Sequence, residues 1–123
     1  AFGDLFLRDV RRWREEACAE WGVQPLFPLW GLETTALARK FVADGFRAVV
    51  CAVDTQHLDA GLAGHAFDAD FLNGLPAEVD PCGERGEFHT FVYDGPPFRH
   101  AVKWQAAERT TQGRYARQYI EPA

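Results

Sequence analysis

The sequence predicts an α/β fold built on a parallel sheet, and three observations support this prediction. A helical pattern opens the chain, a second helical pattern lies between two strand-like apolar runs, and further short strand patterns follow. A strand, a helix and a second strand in that order normally form a right-handed parallel crossover unit. Because the chain has 123 residues, a single domain spanning residues 1–123 is expected.

The first helix is predicted from apolar residues that recur every three or four positions. They are Phe6, Val10, Trp13, Ala17 and Trp21. This spacing places them on one side of a helix, with the intervening arginines and glutamates on the other side. Asp4 is the predicted N-cap and Gly22 the predicted end, so we expect a helix that packs its apolar side on the core.

The crossover unit is predicted over the next thirty residues. Residues 23–30 suggest a short strand that ends in a proline turn, and residues 35–44 a helix capped by Thr34 or Thr35. Residues 48–53, AVVCAV, form a continuous apolar run without alternation, which is typical of a strand covered on both faces.

The remaining elements are short. Phe67, Phe71 and Leu72 indicate a short helix, and residues 87–93 a strand. Residues 99–108 and 114–120 are predicted to form a terminal β-hairpin with its turn at Gln112-Gly113.

Composition narrows the function classes. The formal charge of −5 and the scattered basic residues disfavour nucleic-acid binding. Three cysteines without a close pair fit reduced thiols, and no apolar run reaches the roughly 20 residues of a membrane span. A cytoplasmic protein that binds neither nucleic acid nor membrane is expected.

Reactive side chains are concentrated in residues 80–93, DPCGERGEFHTFVY. Gly83 and Gly86 allow a sharp turn and close approach of the backbone to a ligand. Residues two apart on a strand share a face, so Glu87 and His89 are expected to project together. A carboxylate beside an imidazole can activate a nucleophile or hold an ammonium ion.

The same stretch contains three further candidate residues. Glu84, on the loop, is expected to converge with Glu87 and His89, and Thr90 supplies a hydroxyl hydrogen bond. A zinc site of Cys82, His89 and a carboxylate lacks the usual paired ligand spacing, so no metal site is predicted. A Cys82 nucleophile with His89 as its base is a further alternative.

A second candidate region is the loop of residues 54–64, which follows a predicted strand. It contains Asp54, His57 and Asp59, and it is either a ligand-binding loop or a solvated connection. Together with His89, His57 supports the alternative of a metal-dependent hydrolase.

Two motifs suggest a family. PLWG at residues 28–31 and DPCGERGEFHTFVYDGPPF at residues 80–98 resemble the diphthine-ammonia ligase family and its bacterial relatives, ATP pyrophosphatases of the adenine nucleotide alpha hydrolase group. The resemblance implies a Rossmann-like parallel sheet, ATP and Mg²⁺ as cofactors, and adenylation of a carboxylate that ammonia then attacks. The family's Ser-Gly-Gly-Lys-Asp-Ser phosphate loop has no counterpart here. The chain is therefore expected to be the C-terminal portion of such an enzyme, without the N-terminal phosphate-loop half.

The resemblance also implies residue roles. The implied catalytic residues are Glu84, Glu87 and His89; the substrate-binding residues are Cys82, Gly83, Gly86 and Thr90; Gly3 and Asp4 lie near the nucleotide. The implied partners are ammonia and a small-molecule or protein carboxylate acceptor, and a homodimer is left open.

One position departs from the ligase pattern. The archaeal and eukaryotic ligases usually have glutamate where this chain has His89, which resembles the bacterial branch and implies an acceptor other than diphthine. The alternative function is a non-catalytic binding or assembly module that retains the fold.

Overall fold

The computed structural model describes residues 1–123 and shows one four-stranded sheet with helices α2 and α3 packed against it. The elements in chain order are α1 (Arg8–Glu20), α2 (Thr34–Ala43), β1 (Arg47–Asp54), a 3-10 turn (Ala60–Leu62), α3 (Ala69–Asn73), β2 (Phe88–Asp94), β3 (Trp104–Gln112) and β4 (Tyr115–Pro122). The strand order is β2-β1-β4-β3, and every neighbouring pair is antiparallel. No helix has the length and apolar character needed to cross a membrane.

The α/β class is confirmed, but the parallel sheet is wrong for these residues. Residues 23–30 form no strand, because Pro25 and Pro28 lack the N–H groups that a sheet ladder needs. This segment instead holds the start of the chain: the Phe2 N–H donates to the Leu26 carbonyl at 2.8 Å. Without a strand before α2 there is no crossover unit, and β1 pairs with two strands that both run against it.

The buried strand and the hairpin are confirmed. Val50 and Val53 of β1 are fully buried, as the continuous apolar run predicts. The hairpin strands β3 and β4 begin and end later than predicted, and Gly113 has the positive φ of 58° that the turn between them requires. The main core lies between the sheet and helices α2 and α3, whose inward residues include Ala38, Phe71 and Leu72.

Helix α2 agrees closely with its prediction, although its cap differs. Glu33, not Thr34 or Thr35, caps the helix: its carboxylate accepts from the N–H groups of Thr35 at 2.9 Å and Ala36 at 2.7 Å. These backbone hydrogen bonds, chiefly the one from Ala36, hold the pKa of Glu33 below its ordinary value.

Helix α1 forms, but not as a core helix. It begins at Arg8 after Leu7, which offers no side-chain cap, so the prediction of Asp4 as N-cap is wrong. Cys18 is the helix's one buried residue, and Trp13 and Trp21 are 62% and 73% exposed. The apolar side of α1 therefore finds no second element to cover it fully.

Arginine and aromatic side chains make up part of the packing of α1. The Arg11 guanidinium lies 4.6 Å from the ring centre of Phe27 and 4.7 Å from that of Trp30. Such cation–π contacts attach the helix to the proline-rich segment without burying much apolar surface.

Candidate functional site

Two buried carboxylates shape the site loop, residues 80–87. Asp80 is 7% exposed, and its Oδ2 accepts from the N–H groups of Cys82 at 3.2 Å and Glu84 at 3.0 Å. Glu87 is 3% exposed and accepts from Asp80 N–H at 3.0 Å and Arg85 N–H at 2.9 Å. Each carboxylate pairs with donors that the tight loop leaves without carbonyl partners, so both act as internal braces.

The two glycines of the loop have different reasons to be glycine. Gly83 has φ of 64°, and a Cβ there would lie 2.7 Å from the carbonyl oxygen of Phe88. Gly86 has φ of 84° but faces open space. Gly83 thus allows close packing of the loop on β2, whereas Gly86 only sets the turn.

An open cavity of about 250 Å³ lies beside the loop. Its apolar walls are Leu5, Leu29, Leu37, Ala38, Phe41, Phe67, Phe88 and Val92. The remaining lining residues are Gly3, Cys82, Glu84 and Thr90, four of the nine site residues named from the sequence. The fold therefore places these four residues around one space.

Glu84 connects the loop to the start of the chain. Its Oε1 accepts a 2.7 Å hydrogen bond from the N–H of Leu5, a residue 79 positions away in sequence. Its Oε2 makes no hydrogen bond or ion pair within the chain. One oxygen is therefore structural, and the other is available to a ligand.

Cys82 is a neutral thiol. Its Sγ lies 3.4 Å from the carbonyl oxygen of Thr34, to which it donates. Burial, and then the charges of Asp80, Glu84 and Glu33, raise the pKa of Cys82 to about 12. A thiol held protonated is a poor nucleophile, so the alternative of cysteine catalysis has no support in this geometry.

His89 points away from the cavity. Successive strand residues face opposite sides of a sheet, and its neighbours Phe88 and Thr90 both line the cavity. His89 is exposed on the other face, and Glu87 lies buried just before β2, so no hydrogen bond joins them. The fold does not bring the expected carboxylate–imidazole pair together, because the Glu87 side chain turns into the loop.

Gly3 and Asp4, the two residues predicted to lie near a nucleotide, have different surroundings. Gly3 lines the cavity, but Asp4 forms an ion pair with Arg14 at 2.6 Å. No lysine or arginine lines the cavity, and its one charged lining residue is Glu84. These residues therefore do not fit a triphosphate, which needs cationic side chains or a cradle of backbone N–H groups.

The loop that follows β1 is a structural connection. Asp54 is 1% exposed and pairs with Arg114 of the β3–β4 turn at 2.7 Å. Asp59 accepts from the Gly61 N–H at 2.7 Å, and His57 is exposed. No three His, Cys, Asp or Glu residues come together as metal ligands, so the zinc and metal-hydrolase alternatives find no site.

Sequence reasoning missed the brace role of Asp80 and the contribution of residues far from the loop. An Asp-Pro step followed by two glycines is a recognisable turn signal in which the aspartate accepts local N–H bonds. The cavity walls from α2 and the Leu5 N–H had no comparable local signal.

Known proteins resemble this chain in sequence. A family model described as the diphthamide synthase C-terminal domain matches residues 33–122. The diphthine–ammonia ligase of Danio rerio is 32% identical over 111 residues, covering 83% of this chain and 42% of that protein. Those of Mus musculus and Homo sapiens are each 31% identical over 108 residues, covering 83% of this chain and 40% of theirs.

The chain spans about two-fifths of the length of these relatives. The matched residues include the site loop and all of the cavity walls except Gly3, Leu5 and Leu29. By this match the chain belongs to the diphthine–ammonia ligase family, as its diphthamide synthase C-terminal domain.

Proposed function

We propose that this chain is the acceptor-side portion of an ATP-dependent ligase that joins ammonia to a carboxylate as an amide. The observation that carries the proposal is the family match over residues 33–122, which includes the braced loop and the Glu84 side of the cavity. The matched relatives are named diphthine–ammonia ligases. Their name gives ammonia as one substrate.

In this proposal the residues of the site have separate roles. The unpartnered Oε2 of Glu84 holds the ammonium ion and takes a proton from it, because only neutral ammonia is a nucleophile. Thr90 offers a hydroxyl to the acceptor. Asp80 and Glu87 are positioning residues, since they contact only the loop backbone.

ATP and Mg²⁺ belong to the proposal through the family alone. A triphosphate does not fit the cavity, so we place nucleotide binding, and the Rossmann-like parallel sheet, in the part of the relatives that this chain does not span. Mg²⁺ is usually held by phosphates and one or two carboxylates, and it does not require a protein cage here. We also propose that the protein is cytoplasmic.

The first experiment measures ATP turnover by the complete gene product with ammonium chloride and a protein-free cell extract, which supplies small-molecule carboxylates for adenylation. We expect AMP and pyrophosphate, not ADP and phosphate. Glu84→Gln keeps an acceptor oxygen for the Leu5 N–H but removes the charge, so we expect at least a tenfold loss of AMP formation. Glu78→Gln is the matched control, because Glu78 is exposed and makes no side-chain hydrogen bond. ADP as the product, or equal rates in both variants, contradicts the proposal.

The second experiment asks which carboxylate is used. Because His89 stands where the ligases usually have glutamate, we propose an acceptor other than diphthine. A diphthine-bearing protein is incubated with the enzyme, ATP and ammonium, and its mass is measured. An unchanged mass is expected, with no more AMP than forms without the diphthine-bearing protein, whereas amidation of diphthine identifies diphthine as the acceptor and overturns this part.

A further inference from the structure

We propose that the cavity beside the site loop binds a primary alkylammonium ion with a chain of several carbons. The proposal goes beyond ammonia, because the size and lining of the cavity suit a larger cation. Its binding does not depend on the proposed reaction.

The volume and walls of the cavity indicate an apolar chain. An ammonium ion is about the size of a water molecule, whose share of the liquid is about 30 Å³. The cavity measures about 250 Å³, and its walls are the aliphatic and phenyl side chains of three leucines, an alanine, a valine and three phenylalanines. Ammonium alone would leave this apolar surface wet, whereas an alkyl chain would cover it.

The charge of the cavity indicates a cation. Glu84 lines it, and no basic residue does. The charges of Asp80, Glu84 and Glu33 all raise the pKa of the Cys82 thiol, which lines the cavity. The electrostatic potential at the Cys82 end of the cavity is therefore negative. An anionic chain, such as a fatty acid, is disfavoured by the same charges.

The hydrogen-bonding groups indicate a primary amine. The Oε2 of Glu84 and the hydroxyl of Thr90 make no hydrogen bonds within the chain, and both residues line the cavity. A primary ammonium has three N–H donors to offer to such oxygens. Aromatic walls from Phe41, Phe67 and Phe88 add favourable surface for a cation.

The test is calorimetric titration of the 123-residue chain with ammonium, methylammonium, propylammonium and butylammonium chlorides, and with 1-butanol. Each buried methylene strengthens binding by up to about fourfold. Because the cavity is partly open, we expect butylammonium to bind at least tenfold more tightly than methylammonium. 1-Butanol, which lacks the charge, should bind at least tenfold more weakly than butylammonium.

Variants locate the site. Glu84→Gln should weaken butylammonium binding about tenfold, the lower range for a hydrogen bond to a charged group, and Glu78→Gln should leave it unchanged. Leu37→Phe fills part of the cavity, so it should weaken butylammonium but not methylammonium. Equal affinities along the amine series, equal binding of 1-butanol, or insensitivity to Glu84→Gln each overturns the proposal.

The binding experiment and the ATP-turnover experiment can fail independently of each other. If the complete gene product makes AMP with ammonium and the carboxylate-containing extract but the chain binds no alkylammonium, this inference fails and the ligase proposal stands. If butylammonium binds with the expected pattern while ATP is not turned over, the ligase proposal fails and the cation site stands.

Discussion

The carboxylate of Glu87 is joined to the backbone N–H of Asp80 by a 3.0 Å hydrogen bond that closes the site loop. Its second oxygen accepts from the Arg85 N–H at 2.9 Å. Asp80 in turn holds the N–H of Glu84, the residue that reaches into the cavity. Glu87 therefore positions Glu84 without touching the cavity itself.

Glu87→Gln is expected to destabilise the chain. One carboxylate oxygen becomes an NH₂ group facing a backbone N–H, so a buried donor loses its acceptor at a cost of about 1–3 kcal/mol. The measurement is urea unfolding of the chain. The exposed Glu78→Gln control should stay within about 0.5 kcal/mol of the parent. A Glu87→Gln variant as stable as this control would show that the brace is dispensable.

The two loop glycines should respond differently to alanine. Gly86→Ala only forces a left-handed residue, at about 1–2 kcal/mol. Gly83→Ala adds a clash at 2.7 Å with the carbonyl oxygen of Phe88, so its loss should exceed that of Gly86→Ala by at least 1 kcal/mol. Thermal and urea unfolding of both variants provide the comparison. Equal losses would mean that β2 and the loop can move apart freely.

Local signals were enough to predict several elements. Helix α2 ends at Ala43, close to the predicted end at residue 44, and Gly45 follows with φ of 85°; four of the six residues in the apolar run 48–53 of β1 are buried. The β3–β4 hairpin was also predictable, because its pairing joins neighbouring segments around Gly113. These features depend on residues close together in the chain.

The sheet direction and part of the site were not predictable in this way. β1 and β2 are joined by more than thirty residues, a connection long enough to bring β2 alongside β1 in either direction. The direction of pairing therefore depends on packing between residues that are far apart in the chain. The expected pairing of Glu87 with His89 failed for a local reason. Glu87 lies one residue before β2, and its carboxylate pairs with loop N–H groups that would otherwise be buried without partners.

Cys82 should react slowly with alkylating agents while the chain is folded. With a pKa of about 12, only a small thiolate fraction exists at pH 8, partly offset by the stronger nucleophilicity of that thiolate. We expect alkylation of Cys82 by iodoacetamide at pH 8 to be about a hundredfold slower in the folded chain than in urea. Peptide mass spectrometry resolves the three cysteines, and equal rates at Cys82 in both states would contradict the raised pKa.

The same raised pKa predicts how stability depends on pH. The folded state holds the Cys82 proton more tightly than the unfolded state does, so the protonated thiol favours folding. This contribution to stability is complete below the unfolded pKa of about 8.5. It falls as the pH rises from there towards 12. Cys51, whose pKa burial also raises, acts in the same direction. Between pH 7.5 and pH 10, the free energy of unfolding measured in urea should therefore fall less in Cys82→Ala than in the parent chain. An identical fall in both proteins would show that Cys82 is not the cause.

Arg114 should stabilise the hairpin turn through the buried Asp54. Arg114 is 47% exposed whereas Asp54 is 1% exposed, and their 2.7 Å contact supplies the one cation beside that carboxylate. Without Arg114, the buried Asp54 carboxylate keeps one hydrogen bond, which it accepts from the backbone N–H of Gln56 at 3.1 Å. We expect Arg114→Ala to cost about 2 kcal/mol, below the 3–5 kcal/mol of fully buried pairs because water reaches the arginine side.

Arg117→Ala is the matched control for this pair. Arg117 lies on the same hairpin and is exposed, and its guanidinium donates one hydrogen bond, to the Gln112 side chain at 3.3 Å. Its loss should stay within about 0.5 kcal/mol. The double variant Arg114→Ala with Asp54→Asn should recover part of the stability, because the buried charge is then gone. If Arg114→Ala unfolds at the same urea concentration as Arg117→Ala, the pair is solvated and does not anchor the turn.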